Sequence, residues 1–177
     1  MHRGSLQGFV RVVRFLSLIT GIFAAGLITL AVVVVCQMVF LRFVLNENTI
    51  WQTDFVTYSL IAATFVGSPY VLMTRGHVNV DVLPHYLSPR RRFALAVFVS
   101  LVTLAFSVTV TVLTAQLCKE AFDAGWRSDT MWRARLWIPY ASMPIGLGLL
   151  SLQALADLVD LLTGRAPPFG MKPEATA

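Results

Sequence analysis

Long apolar runs alternate with short polar connections along this chain of 177 residues. A helix needs about 20 apolar residues to cross a bilayer, and in lipid its backbone must satisfy its own hydrogen bonds. Four uncharged runs are long enough to cross. The pattern therefore predicts an all-α integral membrane protein with four transmembrane helices and short interfacial segments. The runs are Phe15–Leu41, Phe55–Thr74, Phe93–Cys118 and Leu136–Ala156.

The same pattern divides the chain into three parts. Residues 1–14 are expected to form an N-terminal cytoplasmic segment, and residues 15–163 a four-helix transmembrane domain. Residues 164–177, which contain Pro167 and Pro168, are expected to form a flexible cytoplasmic tail. Too little chain is left for a second, soluble catalytic domain. The transmembrane spans are expected at about 15–41, 55–74, 93–118 and 136–160.

Basic residues are distributed unequally between the two sides of these spans. Nine of the fourteen Lys and Arg lie in the N-terminal segment, the second connection and the tail, and five lie in the first and third connections. Cationic loops resist translocation, so both termini are expected in the cytoplasm. The third connection carries Trp126 and Trp132, which favour the membrane–water boundary.

Composition agrees with a lipid-embedded chain. Hydrophobic residues make up 56% and charged residues 13%, whereas soluble domains average about 25% charged. The net charge is +5, but most of the basic residues lie in segments expected on one side of the membrane. The charge therefore does not indicate nucleic-acid binding. The two cysteines, Cys36 and Cys118, are interpreted as small apolar fillers, although the topology does not exclude their pairing.

Catalytic chemistry finds little support in the sequence. The first three spans contain no charged residue, no histidine lies in a span, and neither HExxH nor GxSxG occurs. We therefore predict no catalytic, cofactor-binding or metal site, and no enzymatic activity.

Asp157 and Asp160 follow the fourth apolar run, with Arg165 close by. They are interpreted as a solvated helix end, and a proton-relay role is the alternative.

Small and hydroxylated residues form rows that favour close helix packing. Such rows serve either packing within the chain or docking of another membrane subunit, and the sequence leaves both open. The rows are Ser17, Gly21, Ala25 and Thr29; Ser59, Ala63 and Gly67; and Ser100, Thr103, Ser107, Thr111 and Thr114.

An ordered series of residues runs through the four spans. It comprises Arg42-Phe43, Trp51-Gln52-Thr53-Asp54, Phe65-Val66-Gly67, Arg75-Gly76-His77-Val78-Asn79-Val80-Asp81, Leu136-Trp137-Ile138-Pro139 and Pro144-Ile145-Gly146. From about Val10 to Leu162, the chain resembles the small (Q-type) membrane subunit of tripartite ATP-independent periplasmic (TRAP) transporters.

The resemblance implies a multi-pass protein of the bacterial inner membrane. Such a subunit pairs with a large, many-spanning, elevator-type permease subunit that binds substrate and Na⁺. A periplasmic substrate-binding protein delivers a carboxylate, such as a C4-dicarboxylate or a sugar acid. The chain itself would hold no cofactor and would act as a non-catalytic scaffold, with membrane lipid as a further partner.

The resemblance also suggests roles for residues of the series. An Arg42–Asp54 ion pair would close the first hairpin, and Trp51 would anchor it at the interface. The family usually has glutamate where this chain has Asp54, which shortens the reach of the carboxylate. Gly76 would supply a positive φ after the second helix. The remaining structural or partner-interface candidates are Gly67, His77, Asp81, Pro139 and Pro144.

Three other functions remain open at this point. The chain could be a self-sufficient small transporter or channel, a membrane enzyme of unfamiliar type, or a four-helix protein with a purely structural role. Flux through the isolated chain, or loss of turnover on substitution of Asp157, Asp160 or His77, would favour the first two respectively.

The expected orientation is testable with reporter fusions. Green fluorescent protein fused after Ala177 should fluoresce, and alkaline phosphatase at the same position should be inactive, because both report a cytoplasmic end. Alkaline phosphatase fused after Asn48 should be active. The opposite pattern at both positions would invert the topology.

Overall fold

Four helices form the parts of the chain that the computed structural model describes, residues 2–74 and 88–163. They are α1 (His2–Val44), α2 (Gln52–Met73), α3 (Pro89–Asp123) and α4 (Trp137–Leu162). Each is long and apolar enough to cross a membrane. Within these ranges there is no β-strand, only an isolated antiparallel bridge between Arg127 and Arg135. The predicted all-α membrane fold with four transmembrane helices is confirmed.

The first and third helices extend well beyond their predicted spans. With 43 and 35 residues, α1 and α3 are about 64 Å and 52 Å long, whereas the hydrocarbon core is about 30 Å thick. Residues 2–14, expected as a separate segment, continue α1 without a break. Val10 and Val13 explain this extension, because they are buried with Ala156 of α4 and give the start of α1 a packed face.

The helices are arranged around α2 and α4. The first helix packs against α2 and, over a smaller area, against α4; α2 packs against α4; and α3 packs mainly against α4. Half of the most apolar stretch of α4 is buried by its neighbours, against 11% for α3 and 17% for α1. The outer faces of α1 and α3 therefore carry exposed apolar side chains, including Ile22 and Phe106.

The buried face of α1 differs from the predicted row of small residues. Ser17 is buried, but Ala25 and Thr29 are exposed. Each step of four residues advances about 40° beyond a full turn, so Thr29 lies about 120° around the helix from Ser17. The buried residues of α1 instead follow one another at steps of three, four or seven residues, which keep to one helical face; they are Val10, Val13, Ser17, Ala24, Ala31 and Val34.

The rows in α2 and α3 pack within the chain. Ser59, Ala63 and Gly67 are all buried in α2. In α3, Ser107 is buried, and its hydroxyl lies 3.1 Å from that of Ser151 in α4. The other four residues of the α3 row are partly buried. Of the two uses left open by the sequence, packing within the chain accounts for both rows.

The closest approach of backbones joins α2 to α4. A Cβ atom at Gly146 would collide with the carbonyl group of Phe65 and lie 2.8 Å from the Val66 nitrogen. At Gly67, it would lie 3.0 Å from the Cβ atom of Ala24 in α1. Glycine at these positions lets α2 contact both neighbouring helices closely, since packing is what associates helices in lipid.

We expect Gly146→Ala to lower the free energy of unfolding by about 1–3 kcal/mol, because the added methyl group meets backbone that cannot rotate away. Thermal unfolding of the purified protein in detergent, followed by circular dichroism, measures the change.

Gly148→Ala is the matched control in the same helix. Its Cβ atom would meet the Thr111 Cγ2 atom at 3.8 Å, an ordinary contact. Helix propensity alone should then leave stability unchanged or raise it by up to about 1 kcal/mol. Equal destabilisation by the two substitutions would contradict the close α2–α4 approach.

Candidate functional site

A partly buried ion pair joins the first helix to the last. Arg14 Nη2 donates to Asp160 Oδ2 at 2.8 Å, and the Asp160 side chain is 7% exposed while that of Arg14 is 50% exposed. The interpretation of Asp160 as part of a solvated helix end is therefore wrong. That interpretation failed because the sequence did not predict the extension of α1, and this extension places Arg14 beside the end of α4.

A second polar contact lies deeper between the same two helices. Gln153 is fully buried; its Oε1 atom accepts from the Ser17 hydroxyl at 2.9 Å, and its Nε2 atom donates to Asp157 Oδ1 at 3.0 Å. Together with the Arg14–Asp160 pair, these residues form what we call the α1–α4 polar cluster. Its α4 members, Gln153, Asp157 and Asp160, are spaced by four and three residues and so share one helical face.

This cluster is suited to holding two helices together. Arg14, Ser17 and Gln153 each donate to an acceptor within the cluster. The apolar side chains of Val10, Val13 and Ala156 are buried nearby. Interhelical hydrogen bonds in membranes contribute about 0.6 kcal/mol each on average, and a charge-assisted bond contributes more. The cluster therefore fixes the register and the rotation of α1 on α4.

A second group of contacts lies at the opposite end of the helices. Arg42 Nε donates to the Thr49 hydroxyl at 2.7 Å, while the Asp54 carboxylate accepts from the Thr130 hydroxyl. The predicted Arg42–Asp54 ion pair is therefore wrong. Thr49 lies in the connection that follows α1, and its hydroxyl accepts the hydrogen bond from the Arg42 guanidinium. The Asp54 carboxylate instead contacts the connection between α3 and α4.

Aromatic side chains reinforce this end of the molecule. Trp51 is 39% exposed and meets the Phe55 ring edge-on, with 5.9 Å between centroids. Tyr58 of α2 stacks on Trp132 of the α3–α4 connection at 6.4 Å. Phe122 and Trp137, at the two ends of that connection, meet edge-on at 5.5 Å. The Tyr58–Trp132 contact links α2 to the connection between α3 and α4, and the Phe122–Trp137 contact joins the two ends of that connection.

The other residues predicted from the sequence have varied placements. Gly67 is buried between α1 and α2, Pro139 is buried in the first turn of α4, and Pro144 is partly buried inside that helix. The predicted residues Gly76, His77 and Asp81 lie outside the described residues. Both cysteines are free thiols. No group of three or more His, Cys, Asp or Glu within residues 2–74 and 88–163 could hold a metal ion.

Sequence reasoning missed the partners that complete these contacts. Arg14, Gln153 and Thr130 were not singled out, and Ser17 was noted only as a member of the α1 row of small residues. A signal for one set was present, because Gln153 is a polar residue within an apolar run and shares a helical face with both aspartates. No comparable signal connects Asp54 with Thr130, which are 76 positions apart.

Comparison with known proteins gives a consistent family assignment. Residues 31–164, more than half of the chain, match the family described as tripartite ATP-independent periplasmic transporters, DctQ component. The chain is also similar to two proteins named C4-dicarboxylate TRAP transporter small permease protein DctQ. One, from Vibrio cholerae serotype O1, is 25% identical over 148 residues, and the other, from Pseudomonas aeruginosa, is 28% identical over 133 residues.

The similar regions are extensive but do not span the relatives completely. They cover 72% and 74% of this chain, and 64% and 63% of the Vibrio and Pseudomonas proteins respectively. The resemblance inferred from the ordered residue series is thereby confirmed, as is the prediction of a transporter component rather than an enzyme. The chain belongs to the DctQ family of TRAP transporter components and is a multi-pass protein of the bacterial inner membrane.

Proposed function

We propose that this chain is the small, non-catalytic membrane subunit of a Na⁺-coupled importer of carboxylates and acts as a scaffold for a larger permease subunit. The observation that carries the proposal is the exposed apolar surface of α1 and α3, combined with the DctQ family match. The two DctQ relatives are named for C4-dicarboxylate transport, which favours a dicarboxylate over a sugar acid as the cargo.

The scaffold role follows from which surfaces are already occupied. The polar residues of the α1–α4 cluster are engaged within the chain, so they hold the subunit together. The outer faces of α1 and α3 carry large apolar side chains such as Phe15, Ile22, Phe98 and Phe106. In the proposed complex, one of these faces packs on the large subunit and the other meets lipid.

The proposal assigns the moving and binding parts to other chains. The large subunit would hold the substrate and Na⁺ sites, and a periplasmic substrate-binding protein would deliver the carboxylate. Both termini of this chain would lie in the cytoplasm. A rigid subunit with wide apolar flanks would keep the large subunit in position while its transport domain moves.

The proposed assembly predicts strict dependence on partners. An affinity tag on this chain should co-purify a large TRAP permease subunit from the same genome in a fixed ratio. Liposomes containing both chains should take up a C4-dicarboxylate when Na⁺ and the periplasmic binding protein are supplied outside, and liposomes with this chain alone should show no flux. Solute flux through the isolated chain would instead establish a self-sufficient transporter.

The α1–α4 polar cluster provides a test of the scaffold role. We expect Asp160→Asn to lower the free energy of unfolding by about 1–3 kcal/mol, because a charged hydrogen bond is lost and Arg14 must seek solvent or headgroups. Thermal unfolding of the purified complex measures this. In reconstituted transport, the maximal rate should fall while the KM for the dicarboxylate stays constant, since the proposed substrate site lies in the other subunit.

Asp123→Asn is the control, because Asp123 is an exposed carboxylate at the end of α3. It should leave both stability and transport unchanged. The double variant Arg14→Gln/Asp160→Asn should cost less than the sum of its single changes, because the two residues are in direct contact. An increased KM with an unaltered unfolding temperature in Asp160→Asn would place this residue in substrate binding and contradict the scaffold role.

A further inference from the structure

The connection between α3 and α4 is a folded hairpin. Backbone hydrogen bonds run from Leu136 N to Trp126 O at 3.1 Å and from Ser128 N to Ala134 O at 2.9 Å. Its turn is closed by Arg133, which has a φ of 49° and donates its N–H to Thr130 O at 3.0 Å. We call the segment from Trp126 to Leu136 the basic hairpin, because it contains three arginines and one aspartate, Asp129.

Two of these arginines are opposite each other. Arg127 and Arg135 form the antiparallel bridge, and the two flanking hydrogen bonds make them a non-hydrogen-bonded pair. In such a pair the Cα atoms are only about 4.5 Å apart and both side chains leave the same face. Like charges placed this way repel each other. An anion bound between the two guanidinium groups would remove that repulsion.

The hairpin lies back against the end of α2. The Thr130 hydroxyl donates to Asp54 in the first turn of α2, and Trp132 stacks on Tyr58. Tyr58 is six residues beyond the start of α2, which corresponds to about 9 Å along the helix axis. The hairpin is therefore held alongside the helix ends, at the level of the lipid headgroups, instead of projecting away from the membrane.

The exposed side chains combine cationic and apolar groups. Arg127, Arg133 and Arg135 are all exposed, and none of them forms an ion pair with a carboxylate in the described part of the chain. Met131 is 87% exposed, and Trp126 and Trp132 are 41% and 42% exposed. Arginine binds phosphate with two parallel N–H donors, and tryptophan partitions to the membrane interface.

We propose that the basic hairpin is a binding site for the phosphate groups of anionic phospholipids in the leaflet that it faces. The paired guanidinium groups of Arg127 and Arg135 hold one phosphate, Arg133 adds charge, and Trp126, Met131 and Trp132 contact the acyl boundary. An acidic soluble protein would also be attracted by this charge. The headgroup-level position and the apolar side chains among the arginines favour lipid. This site concerns the membrane alone and does not depend on the transported solute.

Lipid selectivity around the purified full-length chain in nanodiscs tests this proposal. The probe is phosphatidylglycerol brominated on its acyl chains, compared with phosphatidylcholine brominated in the same way, and quenching of tryptophan fluorescence reports contact. The wild-type chain should prefer phosphatidylglycerol, and the preference should weaken as salt rises. Each of Arg127→Gln, Arg133→Gln and Arg135→Gln should reduce it by about fivefold, the effect expected for one charge near an anionic surface.

Two matched variants complete the design. Asp129→Asn should increase the preference, because it removes the one acidic residue of the hairpin. Lys119→Gln removes an exposed charge from the neighbouring end of α3 and should have less effect than any of the three arginine substitutions. Unfolding temperatures equal to that of the wild type identify the variants in which folding is intact. A triple variant, Arg127→Gln/Arg133→Gln/Arg135→Gln, should lose the preference for phosphatidylglycerol. If the triple variant does not fold, the single variants and Asp129→Asn test the proposal.

Two results would overturn the proposal. One is an unchanged lipid preference in folded variants that lack the arginines. The other is the same unchanged preference accompanied, in those variants, by lost binding of a purified periplasmic substrate-binding protein, measured by surface plasmon resonance. That result would make the basic hairpin a docking surface for a protein.

Discussion

Lipid cannot hydrogen-bond to a protein, and this constraint governs the whole molecule. Each backbone polar group within the bilayer must be satisfied by the helix that contains it, and a polar side chain buried between helices is stabilised by a partner on another helix or on the next turn. Gln153 illustrates the rule, because its amide accepts from Ser17 on α1 and donates to Asp157 on its own helix. Asp160 follows it too, through Arg14. The arrangement of α1 on α4 depends on these few contacts.

Polar groups and apolar groups consequently serve different surfaces. Polar contacts are concentrated between helices and at the two helix ends, where the α1–α4 polar cluster and the Asp54–Thr130 contact lie. The outward faces of α1 and α3 carry many large apolar side chains. The missing side chains of Gly146 and Gly67 let α2 pack closely against α4 and α1, with no polar group needed at either contact. The result is a self-contained subunit whose remaining surfaces suit lipid and another membrane protein, which is what a scaffold requires.

The sequence predicted the elements better than the contacts between them. The four spans were predicted from length alone, because the thickness of the bilayer requires about 20 apolar residues in a helix that crosses it, and these four runs meet that minimum. The α2 row was also placed correctly, because Ser59, Ala63 and Gly67 are all buried. The same reasoning failed in α1, where Ala25 and Thr29 are exposed. The Arg42–Asp54 pair failed because a nearer hydroxyl group was available to each partner.

Local, periodic properties were thus determined by the sequence by itself: the membrane environment, the number of spans, their approximate limits and the ordered residues that mark the family. The tertiary structure alone decided which polar side chains meet. Arg14 contacts Asp160 across 146 positions, and the helical extension of α1 that makes this contact possible arises from burial of Val10 and Val13 against α4. Such pairings depend on the rotation and register of packed helices, and no pattern along a single helix contains that information.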